Sequence, residues 1–109
     1  MKTEENVKAV VVGLSDLSYE AVCLASLYIQ AGAAFIGTNP DRFAGGLPIE
    51  GSIVSGLEAA CGRKADLLAG KPNAKVYSIL HKDLGLQAFS KTDILFIGDN
   101  LETDIIFAN

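Results

Sequence analysis

Cysteine and histidine are scarce in this sequence, and the scarcity excludes several classes of protein. The two cysteines, Cys23 and Cys61, lack both the spacing of a metal site and the number that a disulfide framework needs. Each lies in an apolar helical pattern, so we expect two buried free thiols. The single histidine, His81, has no Cys or Ser partner nearby in sequence, and we expect a solvated residue on a helix.

Clustered positive charge and long apolar runs are also missing. The nine basic residues are scattered and the net charge is −4, which argues against a nucleic-acid partner. No apolar run approaches the length of a membrane span. The charged beginning, residues 1–6, does not resemble a signal peptide. We therefore expect a cytoplasmic protein that binds neither membrane nor nucleic acid.

Apolar residues, by contrast, are abundant for so short a chain. Half of the 109 residues are hydrophobic and the mean hydropathy is +0.32. The length suffices for one ordinary domain and is too short for two complete ones. This balance suits a piece from the interior of a larger protein.

Strand and helix signals alternate along the chain. The β-branched run at 7–13 predicts a buried strand, a helix capped by Ser15 or Ser18 follows to about Gln30, and 34–37 predicts a second strand. This order is typical of a βαβ unit. A long connection at 38–51 indicates either a functional loop or a simple crossover. The remaining predictions are a helix at 53–61 capped by Ser52, a strand at 66–69, a helix at 75–84 capped by Asn73 and ended by Gly85, a strand at 93–98, and a helix that starts near Glu102.

The most informative segment is Ile94-Leu95-Phe96-Ile97-Gly98-Asp99, which is followed five positions later by Asp104. Four consecutive apolar residues predict a strand buried on both faces, and Gly98 allows a tight turn after it. Asp99 would then lie at the carboxyl end of a strand, where open α/β sheets bind ligands. Two carboxylates at this spacing could share Mg²⁺ with water and phosphate oxygens. The segment predicts half of a phosphoryl-transfer site.

A lysine precedes this segment in Gly70-Lys71-Pro72. Such a tripeptide alone usually marks a solvated turn, but a lysine at a strand end can also act as a point charge on phosphate. One predicted helix separates it from the Asp99 strand, so a βαβ arrangement would bring both strand ends to one edge of the sheet. We therefore predict that Lys71 lies close to Asp99 and Asp104.

These motifs resemble haloacid-dehalogenase-type phosphatases. Gly70-Lys71-Pro72 is similar to the third motif of that family, and Gly98-Asp99 with Asp104 to the fourth. The large-cap branch of the family is resembled by four segments: Ser18-Tyr19 at a helix start, the run 32–41, Gly46-Leu47-Pro48 and Gly51-Ser52-Ile53. That branch includes p-nitrophenylphosphatases, phosphoglycolate and pyridoxal phosphatases, and NagD-type nucleotide phosphatases. The resemblance covers residues 8–107.

The resemblance implies a role for each matching position. Lys71 would balance the charge of nucleophile and substrate phosphate, Asp99 would bind Mg²⁺, and Asp104 would support the metal or its waters. Thr38, Asn39 and Asp41 would belong to the substrate-binding cap. It also implies an α/β fold with a mainly parallel sheet, in which residues 1–65 are the distal part of the cap and 66–109 a partial Rossmann-like core.

One departure from the family pattern limits the expected function. The family's nucleophile is the first Asp of an Asp-x-Asp motif, and no two aspartates here are separated by a single residue. We therefore expect a fragment of a Mg²⁺-dependent hydrolase of small phosphomonoesters, truncated at the C-terminus within the last predicted helix. Without the nucleophile, the fragment should be inactive alone. The alternative is a non-catalytic binding or self-associating module. Uncovered strands would favour a homo-oligomer or a complementing chain.

Overall fold

The computed structural model describes residues 4–109 and divides the chain into two compact units, Met1–Leu68 and Ala69–Asn109. In chain order, the first unit contains β1 (Ala9–Val12), α1 (Tyr19–Gln30), β2 (Ala34–Gly37), β3 (Phe43–Ala44), β4 (Leu47–Pro48), α2 (Glu50–Cys61) and β5 (Leu67–Leu68).

The first unit is built on a parallel sheet in the order β1-β2-β5. Val10 pairs with Phe35, and Ile36 pairs with Leu67. The crossover helix α1 begins after Ser18, whose hydroxyl accepts a hydrogen bond from the Ala21 amide at 3.1 Å. The predicted βαβ unit and the α/β class are thus confirmed, and Ser18 is the cap.

The core of this unit lies between the sheet and the two long helices. Its buried members are Val12, Ile29, Phe35, Val54 and Leu57, and Phe35 is completely inaccessible to solvent. Strands and helices both contribute side chains to this core, as expected for a sheet with helices packed against it.

The predicted long connection is partly ordered as a small hairpin of β3 and β4, with Phe43 paired to Pro48. Its turn uses Gly45 and Gly46, both at positive φ, which side chains rarely adopt. The helix α2 then begins at Glu50, earlier than predicted, and Ser52 does not cap it. The Ser52 prediction was wrong because its hydroxyl donates instead to the carbonyl oxygen of Arg42.

The second unit is mostly helical. It contains α3 (Ala74–Asp83), short 3₁₀ turns at Leu86–Ala88 and Lys91–Asp93, a π-helical turn at Leu101–Ile105 and α4 (Ile106–Ala108). Asn73 caps α3 as predicted, since its side-chain oxygen accepts from the Lys75 amide at 3.0 Å. Gly85, at positive φ, follows the end of α3 as predicted.

The predicted strand at 93–98 does not form. Residues 94–97 pair with no other described strand, and Leu95 and Ile97 are 85% and 86% exposed. A strand needs a backbone partner, and an apolar run alone cannot supply one. Phe96 does pack on one side, edge-on against Phe107 with ring centroids 5.2 Å apart. The prediction of burial on both faces was therefore wrong.

The two cysteines are free thiols as expected, but the burial expected for them and the solvent exposure expected for His81 are both only partial. Cys23 and Cys61 are free but only half-buried, and the Cys61 thiol lies 3.7 Å from the Ser26 hydroxyl. His81 is half-buried, with its ring centroid 5.4 Å from that of Tyr77. Among residues 4–109, no helix has the length and apolar character needed to cross a membrane.

Candidate functional site

An ion pair organises the second unit. The Lys71 ammonium group donates to Oδ1 of Asp104, although 33 residues separate them in the sequence. The other carboxylate oxygen, Oδ2, accepts hydrogen bonds from the backbone amides of Asp99 at 3.2 Å and Asn100 at 3.1 Å. Asp104 is only 5% exposed. One buried carboxylate thus holds both Lys71 and the loop that carries Asp99.

Asn100 shapes the turn between these two aspartates. Its side-chain oxygen accepts from the amides of Glu102 at 2.9 Å and Thr103 at 3.2 Å, and its carbonyl accepts from the Asp104 amide at 2.9 Å. These bonds satisfy amides at the beginning of a helical turn that would otherwise lack partners. The hydrogen bonds of Asn100 therefore fix the turn that connects Asp99 to Asp104.

Gly98 is needed in this turn because the chain approaches Asp104 so closely. A Cβ atom at position 98 would lie 2.5 Å from Asp104 Cγ and 2.7 Å from Oδ2. The φ of Gly98 is not positive, so the reason differs from the conformational freedom that the sequence suggested. Any larger residue would displace the Asp104 carboxylate.

The electrostatics of this corner favour an ionised carboxylate. The hydrogen bond from Lys71 and the amide of Asn100 lower the pKa of Asp104 below its usual value, against the opposing effect of burial. Lys71 also lies over the ring of Phe96, with its Nζ 5.6 Å from the centroid. Phe96 thus places an aromatic face beside the cation.

The structure brings together three of the six residues that the sequence singled out. Lys71 contacts Asp104 through its side chain, and Asp99 contacts it through its backbone amide. The side chain of Asp99 is exposed, and no described residue donates a hydrogen bond to it. The carboxylate of Asp99 is therefore accessible for a ligand.

The other three candidates belong to the first unit. Thr38 follows β2 and its hydroxyl donates to the Val12 carbonyl oxygen at 3.0 Å. Asn39 accepts from the Asp41 amide at 2.9 Å, which forms a tight Asx turn. Gly51 packs against this turn, since a Cβ there would lie 2.6 Å from the Asp41 carbonyl carbon. These contacts order the loop, and a substrate role for its side chains stays a prediction.

The donor set at the corner fits a weakly held hard cation. Mg²⁺ binds one or two carboxylates and completes its shell with water and phosphate oxygens. Asp99 offers a free carboxylate, whereas both oxygens of Asp104 already accept hydrogen bonds. Among the described residues no group of three or more His, Cys, Asp and Glu side chains could hold a metal.

Two features of the corner were missed from sequence. Asn100 follows Asp99 and precedes the helical turn, and an Asn directly before a turn is a typical capping signal. The contact of Lys71 with Phe96 had no sequence signal, because it depends on how the loop before Gly98 packs.

Comparison with known proteins identifies relatives over nearly the whole chain. A HAD-hydrolase-like family model matches residues 68–109. The chain is 34% identical over 111 residues to an acid sugar phosphatase of Staphylococcus epidermidis, covering 97% of this chain and 41% of that protein. The chain thus spans about two fifths of the length of the curated relatives it matches.

Solved structures give the same result. The 4-nitrophenylphosphatase of Thermotoga maritima superimposes with a TM-score of 0.84 and 35% identity, covering 98% of this chain and 42% of that one. A protein described as nagD superimposes with a TM-score of 0.83 and 34% identity, over 94% and 42% of the two chains. The similarity therefore extends through both units.

Proposed function

We propose, from the premise that this chain belongs to the NagD-like haloacid-dehalogenase-type phosphatases, that it carries the metal- and phosphate-binding corner of a phosphomonoester hydrolase. The observation that carries the proposal is the contact of Lys71 with Asp104 beside the exposed carboxylate of Asp99. The substrate would be a small phosphomonoester. A cytoplasmic setting stays a prediction.

Each residue of the corner has its own task in this proposal. Asp99 would bind Mg²⁺ directly, since its carboxylate is exposed at the turn. Lys71 is 43% exposed in its side chain and would balance the charge of a bound phosphate. Asp104 would hold these two in place and accept hydrogen bonds from metal-bound water. Phosphatases of this family generally use Mg²⁺.

Magnesium at this corner would supply charge neutralisation for the phosphoryl group. The chain's own residues would bind and orient the metal and the phosphate. None of its seven aspartates lies two positions from another, so the Asp-x-Asp motif is not among these residues. Covalent phosphoryl transfer through aspartate requires a carboxylate nucleophile beside the phosphate. The 109-residue chain is therefore proposed to be inactive alone. The cap residues Thr38, Asn39 and Asp41 would contact the substrate in the complete enzyme.

A hydrolysis assay tests this part of the proposal. The purified chain with Mg²⁺ and p-nitrophenyl phosphate should release no nitrophenol above the rate without protein. Asp99→Asn and wild type should be indistinguishable. Clear turnover by the wild type that disappears in Asp99→Asn would contradict the proposal, because it would require a nucleophile within these residues.

A second candidate function is self-association or complementation by another chain. It is favoured by the exposed apolar side chains of Leu95 and Ile97, which lie in an extended segment without a described strand partner. Such segments pair readily with another strand. Light scattering of the purified chain should show an oligomer, whereas a monodisperse monomer at the same concentration would contradict it.

A further inference from the structure

The structure gathers basic residues that are far apart in the sequence. A cavity of about 400 Å³ in the first unit is lined by Arg42, Ser55, Glu58, Gly62, Arg63 and Lys64. Arg42 lies just before β3, whereas Arg63 and Lys64 follow the end of α2. The packing of the hairpin segment beside α2 brings them together, which the scattered sequence positions did not predict.

Most of the basic residues of the first unit lie at this cavity. Residues 1–68 contain five basic side chains, and three of them line the cavity. The whole chain has a net charge of −4, so the cavity opposes the general charge of the protein. A cationic cleft in an acidic protein concentrates small anions.

Among the described residues, Glu58 is the only acidic one that lines the cavity, and its charge is already compensated. One carboxylate oxygen accepts from the Ala65 amide and the other from the Lys64 ammonium group, both at 3.0 Å. Burial raises the pKa of Glu58, but the Ala65 amide, Lys64 and Arg42 outweigh it, so the pKa lies below its usual value. Glu58 therefore serves as a fixed partner for the cations.

The cations differ in how far they are engaged. Arg63 pairs with Asp66, and Lys64 pairs with Glu58 while its side chain stays 85% exposed. The guanidinium group of Arg42 pairs with no carboxylate of residues 4–109. A second cavity of about 380 Å³ shares Arg42, Ser55, Glu58 and Lys64 with the first.

We propose that this cavity binds the phosphate group of a small ligand, through Arg42 and Lys64. A guanidinium group matches two phosphate oxygens at once, and an ammonium group adds a point charge. The site is separate from the Lys71 corner and does not depend on the proposed hydrolase function. Its role would be to bind a phosphate-bearing molecule, with no chemistry of its own.

Titration with inorganic phosphate, followed by amide NMR of the 109-residue chain, tests the site residue by residue. Saturable shifts are expected for the amides of Ser55, Gly62 and Lys64. Arg42→Gln should weaken binding about tenfold, as expected for one lost charge-assisted contact. Arg42→Lys keeps the positive charge but loses the two-pronged guanidinium contact. Its phosphate affinity should therefore lie between those of wild type and Arg42→Gln. Binding at the Lys71 corner would shift a different set of amides, those of residues 98–100.

The matched control is Lys8→Gln, which removes one positive charge from an exposed residue of the same unit outside the cavity. It should leave phosphate affinity unchanged. Equal weakening by Lys8→Gln and Arg42→Gln would overturn the site, since it would show a general charge effect. The same would follow if chloride at equal ionic strength shifted the same amides, or if phosphate shifted none of them.

Discussion

Each of the two units of this chain is stabilised internally by a different kind of contact. Every buried hydrophobic residue among those described belongs to the first unit: Ala33 and the five core residues Val12, Ile29, Phe35, Val54 and Leu57. In the second unit the buried residues are Thr103 and Asp104, which are polar. The first unit is therefore stabilised mainly by apolar burial, and the second is organised around one carboxylate.

The difference assigns apolar stabilisation to the first unit and the candidate metal site to the second. Apolar burial is non-directional and scales with area, so the first unit can hold its fold with little demand on exact polar geometry. The corner of Lys71, Asp99 and Asp104 instead depends on hydrogen bonds at fixed distances. Substitutions should therefore affect the two units through different mechanisms.

The largest expected effect is in the apolar core. Phe35→Ala should lower the free energy of unfolding by about 3–5 kcal/mol, because it leaves a cavity at a completely buried position. Guanidinium unfolding followed by circular dichroism measures it. Phe43→Ala makes the same chemical change at a position that is 73% exposed and should cost no more than about 0.5 kcal/mol. Equal losses would refute the assignment of the core.

A smaller effect is expected at the corner of the second unit. Gly98→Ala should destabilise it by about 1–3 kcal/mol, since the added methyl group overlaps Asp104. Amide exchange at Asp99 and Asn100 would report the loss, because both amides donate to that carboxylate.

The control for this substitution is expected to change stability in the opposite direction. Gly56 lies within α2 and has open space where a Cβ would be, so Gly56→Ala should stabilise by about 0.5–1 kcal/mol. If Gly98→Ala left exchange at Asp99 and Asn100 unchanged, the close approach would play no part in holding the corner.

The smallest effect concerns acid stability in the first unit. The pKa of Glu58 is lowered in the folded chain, so its contribution is present above its unfolded value of about 4.3 and disappears as the pH falls through the folded value. The melting temperature of wild type should exceed that of Glu58→Gln at pH 7, and the difference should shrink as the pH falls below about 4.3. Glu5→Gln, at an exposed acid of the same unit, should have the same melting temperature as wild type at pH 7. A constant difference across this range would contradict the assignment.

Local signals made much of the first unit predictable. The β-branched run ending at Val12, the Ser18 cap and the strand before Gly37 each lie within a few residues, so their pattern is visible without knowledge of the fold. The hairpin of β3 and β4 was missed because two-residue strands carry no periodicity. The clustering of Arg42 with Arg63 was missed because it arises only from packing.

The second unit was predicted less completely. The proximity of Lys71 and Asp104 was expected from their order around one helix, and the structure brings them into contact. The strand at 93–98 was wrong because pairing depends on another segment, and the hydrogen bonds of Asp104 to both neighbouring amides could not be read from spacing alone.

A magnesium titration followed by amide NMR tests the central claim most directly. We expect weak, saturable shifts at the amides of Gly98, Asp99 and Asn100 that disappear in Asp99→Asn. The amides of Val10 and Phe35 in the first unit should stay unchanged. Shifts that persist in Asp99→Asn, or that map to the first unit, would contradict it.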